Sequence, residues 1–502
     1  MKPLASQHIA RNTLSLILRE ALGIVCLFVT NIILSRYLGL DGMGRIACYS
    51  STFMALLIFA EFGTPRALTI LGAKSLGEST HITTLPSLLW ASLAVGVTLW
   101  AVQIALFFGV MLWGNFHFLP SSLTPNVLIP LLGSVPFLLL YANACGLFNG
   151  FRMMDYTLVL GIIYSLSYLM FVSVPVVLGG KATGVVWSWF ANSAITGIVS
   201  GYLLLNFLSK QNIPVQPLQP LAFKKIFKLG VKLWGQGAFY YQYGVLLSVS
   251  FLRPESEAGL MMISFALINL SEVVFGPLEI ALTASVATAQ NDASWAKQIG
   301  ELQPPLMRTA ATLKLLAVCI FAIIGKELLS LFYGAPFREA YSVLVVLSLV
   351  LYFDSVKYVT DPILNASGRS HLVMVAEGTK IILATVLSAI LAVKYNIIHV
   401  ATSLLIASTI PIILKIFFVS GIIGQRIWKP LFQVSLPWMA AVAAILSMGL
   451  SWPSYAVILL ILIVWIYFLR NNLSNIASIL VGVLQNTVGF NLKKRTIRDP
   501  TG

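Results

Sequence analysis

Long apolar runs separated by short polar connectors make up nearly all of this chain. A run of about 20 apolar residues is the length that carries an α-helix across a bilayer. Segmenting on that length predicts fourteen spans. Six lie in the first half, at 14–36, 46–71, 85–113, 127–149, 156–179 and 183–208. Six more follow at 226–252, 258–288, 309–333, 340–366, 371–394 and 398–423, and a last pair at 432–451 and 454–470. The polar, proline-bearing stretch "SKQNIPVQPLQPLAFKK" (Ser209 to Lys225) is the best internal boundary.

The predicted organisation is therefore a six-helix bundle over 1–208, a cytoplasmic linker over 209–225 and a second six-helix bundle over 226–424. An additional helix pair (425–470) and a cytoplasmic tail (471–502) complete it. The expected fold class is an all-α polytopic membrane protein. Pairs of like residues recur between the halves: Ser35 with Ser250 and Gly44 with Gly259 at an offset of 215. At an offset of 217, Tyr141 pairs with Tyr358, Leu147 with Leu364, Arg152 with Arg369 and Gly161 with Gly378. Six helices per half is an even number, so a repeat relates the bundles by a pseudo-twofold axis along the membrane normal. Transporters built this way bind cargo between the halves.

Composition agrees. The 502 residues are 58% hydrophobic and only 10% charged, with a mean hydropathy of +0.90. Soluble domains carry about a quarter charged residues, so an integral membrane protein is expected. A net charge of +15 would point to nucleic acid in a soluble protein. Here it fits basic cytoplasmic loops, such as Lys210, Lys224, Lys225, Lys228 and the Lys493–Lys494–Arg495 cluster. That asymmetry places both termini in the cytoplasm. The run from Leu14 to Ile33 reads as an uncleaved first helix. Four widely spaced cysteines (Cys26, Cys48, Cys145, Cys319) suggest neither a disulfide framework nor a metal site.

No motif supplies catalysis. The chain has no G-x-x-x-x-G-K-[ST] for a nucleotide, no H-E-x-x-H, and five scattered histidines. A non-enzyme without cofactors is expected. What stands out instead are ionisable residues at membrane depth, which are expensive and mark functional sites by default. The first half offers Arg19, Glu20 and Glu61; the second offers Lys232, Glu272, Glu279, Lys314, Asp354, Lys357, Asp361, Glu377, Lys380 and Lys415. Asp354, Lys357 and Asp361 share one helix face by spacing, and Glu377 with Lys380 reads as an in-helix pair. For Lys232, Lys314 and Lys415 two readings stand: snorkelling to the interface, or a cationic lining suited to an anionic headgroup. Lys357 and Lys380 are deeper and favour the lining. Glu61, Glu272, Asp354, Asp361 and Glu377 are candidates for coupling an ion, with salt bridging as the alternative.

Aromatic positions add to this. In "WGQGAFYYQYG" (Trp234 to Gly244), Gln236, Tyr240 and Gln242 set amides and a hydroxyl beside ring faces, a combination that suits a sugar. Trp187 and Trp189 fit an interfacial belt as well as a site. Gly146/Gly150 and Gly197/Gly201 match the small-xxx-small pattern of close helix packing.

Three stretches carry a family resemblance. "LSRYLGLDGMGRIACYSSTFMALLIFAEFGTPRAL" (Leu34 to Leu68) resembles the first-loop and second-helix signature of polysaccharide flippases, within the multidrug/oligosaccharidyl-lipid/polysaccharide exporter superfamily. "GLFNGFRMMDY" (Gly146 to Tyr156) looks like the family's loop between helices 4 and 5, and "ILNASGRSHLVM" (Ile363 to Met374) like its counterpart between helices 10 and 11. The resemblance implies a V-shaped cavity between two bundles that moves undecaprenyl-pyrophosphate-linked oligosaccharide across a bacterial inner membrane, for O-antigen, capsule or exopolysaccharide. Without a nucleotide motif, and with Asp354, Asp361 and Glu377 at membrane depth, coupling to an H+ or Na+ gradient is expected, and a polysaccharide polymerase and a chain-length regulator are the expected protein partners. On this reading Arg19, Lys232, Gln236, Tyr240, Lys314, Lys357, Lys380 and Lys415 bind the substrate. Rival readings are a multidrug/cation antiporter or a lipid II flippase of the same superfamily. A membrane glycosyltransferase or polymerase, which would need a large loop, is the rival from another class.

Overall fold

The computed structural model describes residues 3–77, 85–112, 120–151, 153–210, 220–234, 240–271 and 295–423. Within these the chain is helical throughout, as a bilayer requires: without water, backbone N–H and C=O groups must be satisfied inside each segment. Nine helices among the described residues are long and apolar enough to cross a membrane. Large side chains such as Leu106, Met170, Ile198 and Phe417 stand exposed on the outside, where lipid rather than water is the matching solvent. The protein is a multi-pass membrane protein.

The first half comprises α1 (Pro3–Glu61), α2 (Thr64–Gly77), α3 (Leu85–Leu112), α4 (Pro125–Gly150), α5 (Met154–Val177) and α6 (Ala182–Lys210). The second comprises α7 (Pro220–Leu233), α8 (Tyr240–Leu252), α9 (Glu255–Asn269), α10 (Trp295–Tyr333), α11 (Tyr341–Asp354), α12 (Lys357–Ala366), α13 (Ser370–Lys394) and α14 (Ile397–Ile423). In the first half α1 packs on α5 and α4 on α6; in the second α13 packs on α14 and α8, and α11 on α14. The halves meet where α1 packs against α8 and α9.

Several boundaries differ from expectation. The expected loop between spans 14–36 and 46–71 is absent as a loop: α1 runs through it and kinks at Gly39 (φ 67°, ψ −169°). One glycine at positive φ turns the chain in a single residue, which an L side chain does at a cost. The expected span 46–71 is itself broken at Phe62 and Gly63, both at positive φ. Spans 226–252 and 340–366 each appear as two helices, α7/α8 and α11/α12. The expected linker 209–225 already contains the start of α7 at Pro220. Spans 432–451 and 454–470, the tail and most of the second half of 258–288 lie outside the described residues.

Helix α7 is amphipathic. Ala222, Ile226, Gly230 and Leu233 are buried at helical spacing, against α2 and α3. Lys224, Lys225, Lys228 and Lys232 are all on its exposed side.

The small residues sit where backbones touch. A Cβ on Gly146 would lie 2.3 Å from the Pro65 carbonyl oxygen, and one on Gly197 2.8 Å from that of Phe137. Closest of all is the seam between the halves. A Cβ on Gly44 of α1 would lie 1.7 Å from the Glu255 carbonyl oxygen, and one on Gly259 of α9 2.5 Å from that of Leu40 and 3.1 Å from the Gly44 nitrogen. The two glycines matched by the internal repeat thus face each other across the junction. Beside them Arg45 Nε donates to Glu255 Oε2 at 2.8 Å. Arg36 Nε donates to the Phe332 carbonyl at 2.9 Å, and its Nη2 to that of Leu331, which caps the last turn of α10. The Arg45–Glu255 pair is largely exposed, so Arg45→Ala should change thermal stability by no more than about 1 kcal/mol, measured by unfolding in detergent.

Candidate functional site

A cavity of about 400 Å³ opens between the halves, lined from α1, α4, α5, α6, α8 and α9. The seam at Gly44 stands at one end of it. Ser50, the nearest lining position on α1, is six positions on from Gly44, about 9 Å along the helix. The first-half wall carries aromatic and hydroxyl groups, among them Tyr141, Tyr164, Tyr168, Trp189, Ser165 and Ser193. The second half contributes Gln242, Tyr243, Leu246, Met262, Phe265 and Asn269. Gln242 and Asn269 exchange amide hydrogen bonds at 3.0 and 3.1 Å, and Asn192 accepts from Ser167 Oγ at 2.5 Å. Arg19 and Glu20 are the charged lining residues, and they are ion-paired to each other. Arg19 has room because its stem rests on Gly161, where a Cβ would approach Arg19 Cγ to 2.2 Å.

Behind the second-half wall lies a buried ionic cluster. Lys380 Nζ of α13 donates to both carboxylate oxygens of Asp354 at 2.6 and 2.7 Å. Lys415 Nζ of α14 donates to Asp361 at 2.8 Å and to Glu377. Exposure of these five side chains is only 2–7%. Lys314 is fully buried; its Nζ donates to Ser271 Oγ at 3.1 Å and lies 5.3 Å from the centroid of the Tyr358 ring. Lys357 Nζ lies 4.9 Å from the same centroid. Charges so placed are stable only with partners, since each costs several kcal/mol to desolvate alone.

Tyr241 reaches the cluster from α8, a helix that lines the cavity. Tyr241 places its ring 3.7 Å from Lys380 Nζ and its hydroxyl 3.3 Å from Asp354 Oδ2. The next two residues, Gln242 and Tyr243, line the cavity. Consecutive residues of α8 therefore touch the ion pair on one side and the cavity on the other.

Residues 9–253 match the family described as polysaccharide biosynthesis protein. The first half of the chain is thus similar to that family. No curated protein matches it in sequence. Solved structures agree on the fold. An inward-facing multidrug resistance MATE-family transporter of the MOP superfamily is similar at a TM-score of 0.67 and 12% identity, over 79% of this chain and 93% of that one. The lipid II flippase MurJ in an inward closed conformation is similar at 0.64 and 13%, over 92% and 99%. An outward-facing MATE-family transporter is similar at 0.61 and 13%, over 84% and 96%. The expected all-α polytopic fold is the one this chain has.

The predicted site residues divide. Among the described residues Arg19 alone of the expected binding set lines the cavity. Lys314, Lys357, Lys380 and Lys415 form no cationic mouth; they are buried in the second half, and Lys380 and Lys415 are consumed by carboxylates. Lys232 is on the exposed face of α7. Tyr240 opens α8, its side chain outside the described residues, as are Gln236, Glu272 and Glu279. Of the expected coupling residues, Asp354, Asp361 and Glu377 come together in the cluster, whereas Glu61 ends α1 with Arg66 as a charged neighbour. The expected in-helix pair Glu377–Lys380 is not formed: each finds its partner on another helix, Lys415 and Asp354 respectively. Tyr141, Tyr164, Tyr168 and Asn269 were not singled out for the site by sequence. The four-residue spacing of Tyr164 and Tyr168 was the available signal.

Proposed function

We propose that this protein moves a polyprenyl-pyrophosphate-linked oligosaccharide, of the undecaprenyl class, across a bacterial inner membrane for surface polysaccharide synthesis such as O-antigen. The observation that carries the reading is the polar, aromatic cavity between two halves in a chain whose residues 9–253 match the polysaccharide biosynthesis family. The lobes 1–208 and 226–424 rock about their junction, with the Gly44–Gly259 seam closing one side. Both termini are cytoplasmic, which puts the α7 lysines on the side where positive charge accumulates. Arg19 meets the phosphate, the sugars fill the cavity, and the lipid tail stays in the bilayer. Coupling to H+ or Na+ runs through Asp354, Asp361 and Glu377, whose ion pairs loosen when the cation arrives. A polymerase and a chain-length regulator take the product.

The test is flipping of a fluorescent undecaprenyl-pyrophosphate oligosaccharide in proteoliposomes. Wild type should flip it, and Arg19→Ala should lower the rate at least about tenfold, as expected when one charge-assisted contact is lost. Collapsing all ion gradients should slow wild type; an unchanged rate removes the coupling role from the cluster. Absence of lipid flipping together with efflux of organic cations would replace the reading with that of a drug antiporter.

A further inference from the structure

Aromatic rings run in file along the first-half wall of the cavity. Tyr141 of α4 lies nearly parallel to Tyr164 of α5, with centroids 5.4 Å apart and an interplanar angle of 16°. Tyr164 is followed by Tyr168 at 6.2 Å and 23°. Farther along, Trp189 of α6 stacks with Phe53 of α1 at 6.0 Å and 21°. All five line the cavity. Tyr164 and Tyr168 are four residues apart on α5, a rise of about 6 Å from one ring to the next. That step is close to the length of one sugar residue in a chain.

Arg19 marks one end of the file. It rests on Gly161, three residues before Tyr164. Hydroxyls and amides supply the other polar groups, among them Asn31, Ser165, Asn192, Ser193, Gln242 and Asn269. The described lining holds one cation and one anion, paired to each other, so its formal charge is zero. Flat rings with polar rims are suited to a ligand that is apolar on its faces and hydrogen-bonding at its edges. Pyranose rings have that character. Their C–H faces cover aromatic rings while their hydroxyls reach amides. A carboxylate on such a sugar would have no free cation in the described lining to meet.

We propose that the Tyr141–Tyr164–Tyr168 file is a glycan-binding subsite for uncharged pyranose residues, the sugars extending from Arg19 toward Trp189. This rests on the lipid-linked oligosaccharide reading and adds the sugar class and its place in the cavity.

Binding to the full-length protein in nanodiscs tests it, by calorimetry with four probes. These are undecaprenyl pyrophosphate without sugar, the same lipid bearing a neutral tetrasaccharide, the same lipid bearing a uronic-acid tetrasaccharide, and the free neutral tetrasaccharide. Wild type should bind the neutral glycolipid more tightly than the sugar-free or the acidic one. Tyr164→Ala should weaken the neutral glycolipid about tenfold and leave the sugar-free lipid unchanged, while Tyr164→Phe, which keeps the ring, stays close to wild type. Tyr168→Ala is the second variant if Tyr164→Ala melts early. Unchanged glycolipid binding in both alanine variants, equal weakening of the sugar-free lipid, or equal affinity for the acidic glycan overturns the subsite while leaving flipping intact. Tyr164-dependent binding of the free tetrasaccharide without binding of any lipid form keeps the subsite and removes the lipid-linked reading. No binding of any glycan overturns both.

Discussion

Lys380→Met should destabilise the protein by about 3–5 kcal/mol and stop transport. Asp354 would keep its charge at 5% exposure after losing two hydrogen bonds from Lys380. The Tyr241 hydroxyl at 3.3 Å cannot replace an ammonium group. The loss should appear as a lowered melting temperature in detergent. Asp354→Asn combined with Lys380→Met removes both charges of the pair, and replacing a buried pair by neutral groups of similar size is often near neutral for stability. The double variant should therefore melt close to wild type yet remain inactive in the flipping assay. Transport at the wild-type rate in the double variant would show that the pair only ties α11 to α13.

The second large effect belongs to the seam. Gly44→Leu puts a side chain where the first carbon alone would lie 1.7 Å from main-chain oxygen, a contact that backbone cannot yield to. The halves would have to stand apart there. Flipping should fall at least about tenfold, since a conformer that cannot form removes one state of the cycle, with the protein still present in the membrane. Cys26, which lines the cavity, should then react with an impermeant thiol reagent applied from the seam side, and Cys26→Ser should abolish that labelling. Gly109→Leu is the control, because nothing lies within 4 Å of a Cβ there. Normal flipping by Gly44→Leu would mean that this contact does not have to close.

Much of the architecture was readable from run length, because in lipid a long apolar segment has no competing structure. The expected span 127–149 and α4 (Pro125–Gly150) differ by one or two residues at each end. Boundaries failed where glycine let the chain bend without a polar loop, as at Gly39. Arg36, Asp41 and Arg45 made that stretch look like a connector, yet α1 continues through it. At the ionic cluster the residue types were visible but the pairing was not. Spacing reports neighbours on one helix, whereas Glu377 and Lys380 turn to α14 and α11. The cavity wall was hidden for a different reason: a tyrosine in an apolar helix looks the same in sequence whether it faces lipid, core or a void.

Glu20 has a bearing on release. It already occupies the guanidinium of Arg19, so on the proposed function a phosphate would have to evict a resident counter-ion instead of filling a vacancy. The gain on capture is then only the difference between two anions, which limits how tightly cargo is held. On departure the displaced carboxylate would return to its place, and such a carrier would discharge its load without leaving a bare cation in the bilayer.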